Sequence, residues 1–421
     1  MKLSQVFVGL ALAGLAGSAF ATNGYFSHGY GMKAKGMAGA STASTDDAFG
    51  GANNPASMAF AGNRMDLGAD LFSPIREASN TNFGGGGPVR SESDSNYFLI
   101  PEFGYNRMMN DNLSLGVTVY GNGGMNTDYP SIPNFGGANI LGGSGSLGVD
   151  LMQLIVAPTV AYKVAPAHSL GISPLLGYQR FRAEGLNGFG LNNQGYDDAF
   201  GYGVRLGYLG KITPTVTIGA AYASKMRFEE FSKYSGLFAE QGDFDIAENW
   251  NLGASWQATP SIKLALDFQR INYSKIAAVG NQVLPNFGNG LGASNGPGFG
   301  WDDIDVWKFG AEYKYSTNLT LRAGYSHTDS PIKGDMTCAT FTNCAEAAFN
   351  ILAPAVIENH VTLGFTYTLA SGDEVTMAYM HGFENDVRGA RPANFNNAVA
   401  GSVDTIKMYQ NSLGIQYSWK M

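Results

Sequence analysis

The sequence predicts an all-β protein, an antiparallel transmembrane β-barrel of about 14 strands with an N-terminal plug (hatch) in its lumen. After residue 62 the chain is a long series of segments in which apolar and polar residues alternate. The connections between these segments are alternately short and long. Before them, residues 27–60 are rich in Gly, Ala and Ser and show no alternation. Because a barrel of this size is too wide for its own side chains to fill, the irregular segment predicts a plug.

The first 21 residues are typical of a secretory signal peptide. Lys2 supplies the positive charge, residues 6–15 the apolar core, and residues 19–21 a small-residue cleavage pattern. A membrane anchor is the alternative, although the apolar run is short for a span. We therefore divide the chain into a signal peptide (1–21), a hatch (22–62) and a barrel (63–421).

Composition favours an outer-membrane barrel over a soluble protein. The chain has 57 glycines, 14% charged residues and 12% aromatic residues, and no later run of about 18 apolar residues. The net charge of −8 argues against a nucleic-acid partner. We expect a monomer in an outer membrane, in contact with outer-membrane lipid.

Six segments show the alternation most clearly. In each, Leu, Ile, Val and aromatic residues occupy one face, and small or polar residues occupy the other. We expect the apolar face to contact lipid and the other to face the lumen. The strands of a soluble β-sandwich show the same alternation of apolar and polar residues. Here, however, the strands recur almost to the C-terminus, and their outward-facing rows end in Tyr and Trp. The segments are 112–120, 215–222, 261–269, 318–326, 360–369 and 412–419.

The connections predict two different rims. Short turns are expected at 107–111, 165–168, 211–214, 258–260, 316–317 and 370–372. Long connections are expected at 76–91, 122–147, 183–198, 230–245, 274–301, 329–357 and 383–403. Short turns on one rim and long loops on the other are typical of outer-membrane barrels.

The chain resembles the FadL-type long-chain fatty acid transporters of Gram-negative outer membranes (OmpP1/FadL/TodX-like). The matching motifs are Asp46-Asp47-Ala48 and Asn54-Pro55-Ala56 in the hatch, YSHTDSP at 325–331, YMHG at 379–382 and the final strand. The resemblance covers essentially the whole mature chain. It implies a 14-stranded barrel with a plug and passive uptake of hydrophobic ligands, which bind outer loops, enter a lumen pocket and leave sideways through a kink in the third strand.

The resemblance also assigns roles to particular residues. The kink falls at Gly121, Asn122, Gly123 and Gly124, where glycines weaken a strand; the alternative is the start of a loop. Asn54, Pro55 and Ala56 form a rigid turn that is expected to pack against the kink, or else a simple connecting turn. Tyr25 and Phe26 are the expected N-terminal gate, and Asp329, Ser330 and Pro331 a motif near the hatch.

Ligand chemistry is where the chain departs from this family. Arg180 and Arg182 lie close to one of the family's head-group positions and are our candidates for a ligand carboxylate. The second basic position is occupied by the acidic stretch 301–305, WDDID, which disfavours an anion. The third long loop is also short for the family's paired helices. Neutral or aromatic hydrocarbons are therefore an alternative to fatty acids, and a general porin is a further one.

The remaining features predict no catalysis. The five histidines form no zinc motif and no catalytic motif, so we expect no enzyme, metal or cofactor. Cys338 and Cys344 are expected to form a small disulfide in an exported protein. Apolar residues cluster at 276–287 and 349–357; they form either an outward binding groove or packing that closes the barrel mouth.

Overall fold

The computed structural model describes residues 23–44, 46–284, 286–338, 345–392, 395 and 397–421; the predicted signal peptide lies outside these residues. The described chain forms a closed barrel of 14 antiparallel strands, as predicted. The strands are β1 Arg64–Asn80, β2 Phe98–Met108, β3 Leu113–Tyr129, β4 Leu147–Ala165, β5 His168–Glu184, β6 Asp197–Lys211, β7 Val216–Ala223, β8 Asn249–Thr259, β9 Ile262–Ile271, β10 Ile304–Lys314, β11 Leu319–Thr328, β12 Asn359–Thr368, β13 Glu374–Ala390 and β14 Val403–Lys420.

Each strand pairs with its neighbours in chain order, and β14 pairs with β1 from Arg64↔Lys420 to Asn80↔Asp404. The sheet therefore has no free edge, which satisfies the backbone hydrogen bonds of strands that cross lipid. Two short strands lie outside this ring: Val89–Glu92 pairs with the end of β1, and Arg227–Phe228 pairs with β6.

The alternation has the predicted orientation. In β14, the side chains of Leu413 and Ile415 are 50% and 51% exposed, whereas Ser412 and Gln416 are buried. Polar residues thus face the lumen and apolar residues face outward. No helix in the described ranges is long and apolar enough to cross a membrane.

The two rims also follow the prediction. The six short turns lie between β2 and β3, β4 and β5, β6 and β7, β8 and β9, β10 and β11, and β12 and β13. The long loops, numbered 1 to 7, are residues 81–97, 130–146, 185–196, 224–248, 272–303, 329–358 and 391–402. Several strands are longer than expected, because the ladder continues into the predicted loops; β1, β3 and β13 extend to Asn80, Tyr129 and Ala390.

Helical structure in the described residues is limited to single turns. The α-helical turns are Met32–Lys35, Ala239–Gly242, Ala277–Gly280 and Glu346–Phe349. The 3-10 turns are Pro55–Phe60, Phe83–Gly85, Pro133–Phe135, Asn187–Phe189, Ser232–Tyr234, Tyr273–Lys275 and Asn286–Asn289. Loop 3 contains only the turn Asn187–Phe189, in line with the expectation that it lacks paired helices.

Residues 23–62, which we call the lumenal segment, lie inside the barrel. Almost all of its described residues are buried. Its backbone bonds inward-facing side chains on well-separated strands, such as Gln416 on β14, Asp267 on β9 and Thr118 on β3. Only a segment within the lumen can reach all of these positions.

Candidate functional site

A buried ion cluster fixes the middle of the lumenal segment to the wall. The Lys35 ammonium lies 2.8 Å from a carboxylate oxygen of Asp70 on β1 and 2.8 Å from one of Glu102 on β2. All three side chains are only 2% exposed. Glu102 also accepts the Gly31 N–H at 3.0 Å. Such a cluster is stable only when every charge has its partner.

Further polar contacts hold the segment near the rim of short turns. Lys33 pairs with Glu374 at 2.6 Å, and Asp46 pairs with Lys263 at 2.8 Å. Asp267 accepts two backbone N–H groups of the segment, each at 2.8 Å. The segment is therefore attached to strands around the barrel rather than to one side of it.

The Asn54-Pro55-Ala56 turn is rigid, but its position differs from the prediction. Asn54 caps the turn Pro55–Phe60, accepting the Ala56 N–H at 3.1 Å, and donates to the Tyr208 carbonyl on β6 at 2.9 Å. A Cβ atom at Gly207 of β6 would overlap the Asn54 side chain. The turn packs mainly against β4, β5 and β6, so its expected contact with Gly121–Gly124 is wrong.

The glycine cluster lies within β3 and carries a bulge. Gly121 pairs with Leu154 and Gly123 with Gln153, which leaves Asn122 as an extra residue in the ladder with β4. Before the bulge the even-numbered residues of β3, such as Thr118, face the lumen. After the bulge the odd-numbered residues, such as Thr127, face it. A bulge bends its strand and increases the local twist.

Just before the bulge β3 separates from β2. The two strands pair from Met108↔Ser114 to Phe103↔Val119 and no further, although both continue. Pairing resumes with loop 1, where the Asp94 N–H donates to the Asp128 carbonyl at 2.8 Å. A gap in the wall, bordered by Phe98–Glu102 of β2 and 120–127 of β3, lies between these two contacts.

The start of the lumenal segment lies against this gap. Phe26 forms an isolated antiparallel bridge with Gly123, and the Ser27 N–H donates to the Asn122 carbonyl at 3.1 Å. The Tyr30 hydroxyl donates to the same carbonyl at 3.0 Å. A Cβ atom at Gly123 would overlap the Tyr25 carbonyl oxygen, so only glycine permits this approach. The residues that meet the bulge are therefore 25–30, not 54–56.

An aromatic cluster joins the lumenal segment to the outer loops. The buried Tyr25 ring lies 5.0 Å from that of Tyr273 and 5.9 Å from that of Trp301, and its hydroxyl accepts the Ala247 N–H at 3.0 Å. Trp301 donates to Asn350 in loop 6 at 2.6 Å. Tyr25 and Phe26 thus lie in the lumen where a gate is predicted.

The apolar residues of loops 5 and 6 pack inward and close the barrel mouth. Ile276, Val279, Ile351 and Val356 are at most 2% exposed and belong to one continuous apolar cluster. This is the second of the two arrangements considered from the sequence. Nearer the surface, the rings of Phe189, Phe287 and Phe395, from loops 3, 5 and 7, pack with centroids 5.6–6.1 Å apart.

A small apolar cavity lies beneath these loops and beside the gap. It is lined by Met125 from β3, Met408 from β14, Trp301 from loop 5 and Pro354 from loop 6. The guanidinium of Arg76 on β1 supplies the charge among the lining residues. The cavity has room for about one water-sized group and lies next to the point where the wall is open.

Arg180 and Arg182 do not lie in the lumen. They share the outward face of β5, since the intervening Phe181 and its neighbours Gln179 and Ala183 are buried. Arg180 contacts Asp198 at 3.4 Å, and Arg182 contacts Glu184 at 2.7 Å. They therefore lie away from the lumenal cavity, and a role at a ligand head group stays a prediction.

The inward-facing position of Arg76 is not predicted by the sequence analysis. Residue 76 is expected there to begin a long loop, whereas β1 continues to Asn80. The period-2 series Asp66, Asp70, Arg76 on one face of β1 is the signal that identifies an inward-facing arginine.

The motif Asp329-Ser330-Pro331 lies in loop 6, and its expected role near the hatch stays a prediction. The Ser330 hydroxyl donates to the Ala355 carbonyl at 3.3 Å, and the Pro331 carbonyl accepts the Asp302 N–H at 2.9 Å. The motif thus ties loop 6 to itself and to loop 5. Cys344 lies outside the described residues, so its pairing with Cys338 stays a prediction.

Loop 4 contains a carboxyl group whose protonation should affect loop stability. Burial, followed by the charge of Asp245, raises the pKa of Asp243 from 3.8 to about 7. The folded loop therefore binds the proton more tightly than the unfolded loop, and its stability should fall as the pH rises from about 4 to about 7. Hydrogen exchange of residues 238–247 measures this change.

The Asp243→Asn variant should abolish that pH dependence, because it removes the titrating group. The Glu230→Gln variant, which changes an exposed acid of the same loop, should retain it. Equal pH dependence in Asp243→Asn and the parent protein would refute the assignment.

Comparison with known proteins agrees with this architecture. A family model described as "Outer membrane protein transport protein (OMPP1/FadL/TodX)" matches residues 10–390. A search of curated proteins gave no match. The fold is similar to the P. putida toluene transporter TodX (19% identity, 94% of this chain and 99% of that chain, TM-score 0.68). It is also similar to a Pseudomonas aeruginosa FadL homologue (16% identity, 94% and 99%, TM-score 0.71) and the Ralstonia pickettii toluene transporter TbuX (15% identity, 94% and 99%, TM-score 0.62).

The family match covers nearly the whole chain. The protein is an outer-membrane transporter of hydrophobic compounds, and its family is a family of transport channels. The chain belongs to the OmpP1/FadL/TodX family of outer-membrane transport proteins.

Proposed function

We propose that the protein takes up long-chain fatty acids passively and releases them sideways through the wall. The ligand binds among the outer loops, enters the apolar cavity beside Trp301, and leaves through the gap between β2 and β3. The observation that carries this proposal is the position of the gap. It lies next to an apolar cavity and beside a hatch, the lumenal segment, that fills the straight route through the lumen.

The outer loops offer an entrance of matching chemistry. The rings of Phe189, Phe287 and Phe395 come from three different loops and pack against one another at the outer side of the main apolar cluster. Contacts of this kind can be replaced by an apolar chain at little cost in hydrogen bonding. Tyr25 and Phe26 then act as the gate between the cavity and the gap.

Uptake of neutral aromatic hydrocarbons is the second candidate. It is favoured by the similarity to the toluene transporters TodX and TbuX. The region of residues 302–305 also offers no unpaired cation to a ligand carboxylate. Its nearby arginine, Arg270, is already paired with Asp303 and Asp305 at 3.2 and 3.0 Å. A general porin has no comparable support, because a diffusion pore requires an open lumen.

Uptake of labelled palmitate and labelled toluene by cells that express the protein, against cells that lack it, tests the proposal. We expect palmitate uptake to depend on the protein. Mass spectrometry of lipid bound to the purified barrel should then identify fatty acid. Protein-dependent uptake of toluene alone would favour the second candidate. A large steady current through the intact protein in a planar bilayer would favour a porin.

A further inference from the structure

Arg76 lies in an unusual place for an arginine. Its side chain points from β1 into the lumen and is only 2% exposed, and it lines the apolar cavity with Met125, Trp301 and Met408. An arginine keeps its charge at all physiological pH values. Burying that charge among apolar groups is costly unless an anion or a full set of acceptors compensates it.

The described protein residues compensate this charge incompletely. One terminal nitrogen donates to the Asn126 carbonyl, and the other donates to the Asn96 side chain at 3.2 Å. The Nε donor is buried without an acceptor. No carboxylate of the described residues forms an ion pair with Arg76; Asp128, whose charge acts on it, has an exposed side chain on β3.

Arg205 on β6 also lacks an acidic partner among the described residues, and its Nε is likewise buried without an acceptor, whereas two other buried arginines are paired. Arg391 pairs with Asp404 at 2.7 Å, and Arg322 pairs with Glu312 at 2.7 Å. The phenyl ring of Phe98 lies 5.7 Å from the Arg76 guanidinium and shields one side of it. Arg76 differs from Arg205 in that it lines an apolar cavity, whereas the cavity beside Arg205 is lined mainly by polar residues.

We infer that Arg76 is the head-group site for an anionic amphiphile, a long-chain monocarboxylate, whose tail enters the small adjoining apolar cavity by displacing side chains that line it. This inference rests on the proposed function. It makes Arg76 the residue that favours fatty acids over neutral hydrocarbons. The carboxylate would accept from Nε and a terminal nitrogen, the side-on pair of donors that an arginine offers to a carboxylate. Since Arg76 also contacts Asn126 on β3, the head group would lie beside the gap.

Binding to the purified protein in lipid nanodiscs tests this. The probes are labelled palmitate, its methyl ester and hexadecanol, which share the tail and differ in charge. The parent protein should bind palmitate at least about tenfold more tightly than the methyl ester. The Arg76→Met variant should lose about tenfold in palmitate affinity and bind hexadecanol within about twofold of the parent value. The Arg76→Lys variant should recover part of the loss, because it restores the charge without the paired donors.

The Arg90→Met variant is the matched control. Arg90 is an exposed arginine that pairs with Glu77 at 2.6 Å outside the cavity, so its loss should leave all three affinities unchanged. Equal affinity of the parent protein for palmitate and its methyl ester would overturn the inference without any variant. Equal losses for palmitate and hexadecanol in Arg76→Met would also overturn it, since they would show a packing role. Failure of the parent protein to bind any of the three probes would instead refute the proposed function.

Discussion

Deletion of Asn122 should abolish uptake while the barrel remains folded. Asn122 is the one extra residue between Gly121 and Gly123 in the ladder with β4. Its removal restores a regular alternation, so that β3 can continue straight and pair with the free part of β2. The gap would close, and we expect uptake to fall at least about tenfold, because the ligand loses its exit rather than its binding site.

The measurement is initial uptake of labelled palmitate, with heat-dependent gel mobility as the check on folding. A matched control is deletion of Glu384, since β13 carries a bulge of the same size between Gly382 and Asn385, away from the gap. That variant should retain uptake. A folded Asn122 deletion with normal uptake would contradict the lateral route.

Substitution of Lys35 should release the lumenal segment from the wall. The Lys35→Met variant leaves Asp70 and Glu102 buried without their cation, and an unpaired buried charge costs about 3–5 kcal/mol. The segment should detach and expose a lumen too wide to fill itself. We expect frequent open-channel currents in planar bilayers, where the parent protein should be closed.

Two variants make this result specific. In the triple variant Lys35→Met, Asp70→Asn, Glu102→Gln no buried charge is left unpaired, so the lumen should be closed more often than in Lys35→Met alone. The Lys407→Met variant breaks an exposed pair with Glu384, which is worth at most about 1 kcal/mol, and should not conduct. A closed Lys35→Met protein of unchanged thermal stability would refute the anchoring role.

The wall of the barrel could be predicted from the sequence because its signal is local. Lipid outside and polar contacts inside impose period-2 alternation on each strand, as in Leu413 and Ile415 against Ser412 and Gln416. The short turns were predicted for the same reason. The outer ends of strands were not, since above the lipid both faces are polar. Glu384, Asp386 and Arg388 of β13 form a charged row on the exposed face, where a lipid-facing strand would have apolar residues, although the ladder continues through them.

Contacts between distant residues could not be read from the sequence. The Asn54-Pro55-Ala56 turn indicated a rigid element, yet no local pattern indicates that β6, and not β3, lies opposite it. Gly123 marked a weak point in β3, but the partner that requires a glycine there is Tyr25, about a hundred residues away. Arg180 and Arg182 were chosen by their place in the chain, and the alternation of β5 puts both on the outer face.

The central claim is that a hydrophobic ligand leaves through the wall between β2 and β3. Photocrosslinking during uptake tests it most directly, with a long-chain fatty acid that carries a diazirine on its tail and peptide mapping of the adducts. We predict adducts on residues that border the gap, such as Leu99 on β2 and residues 121–125 on β3. Adducts confined to the lumenal segment near the short turns, around Met37 and Ser44, would show passage straight through the lumen and would contradict the account.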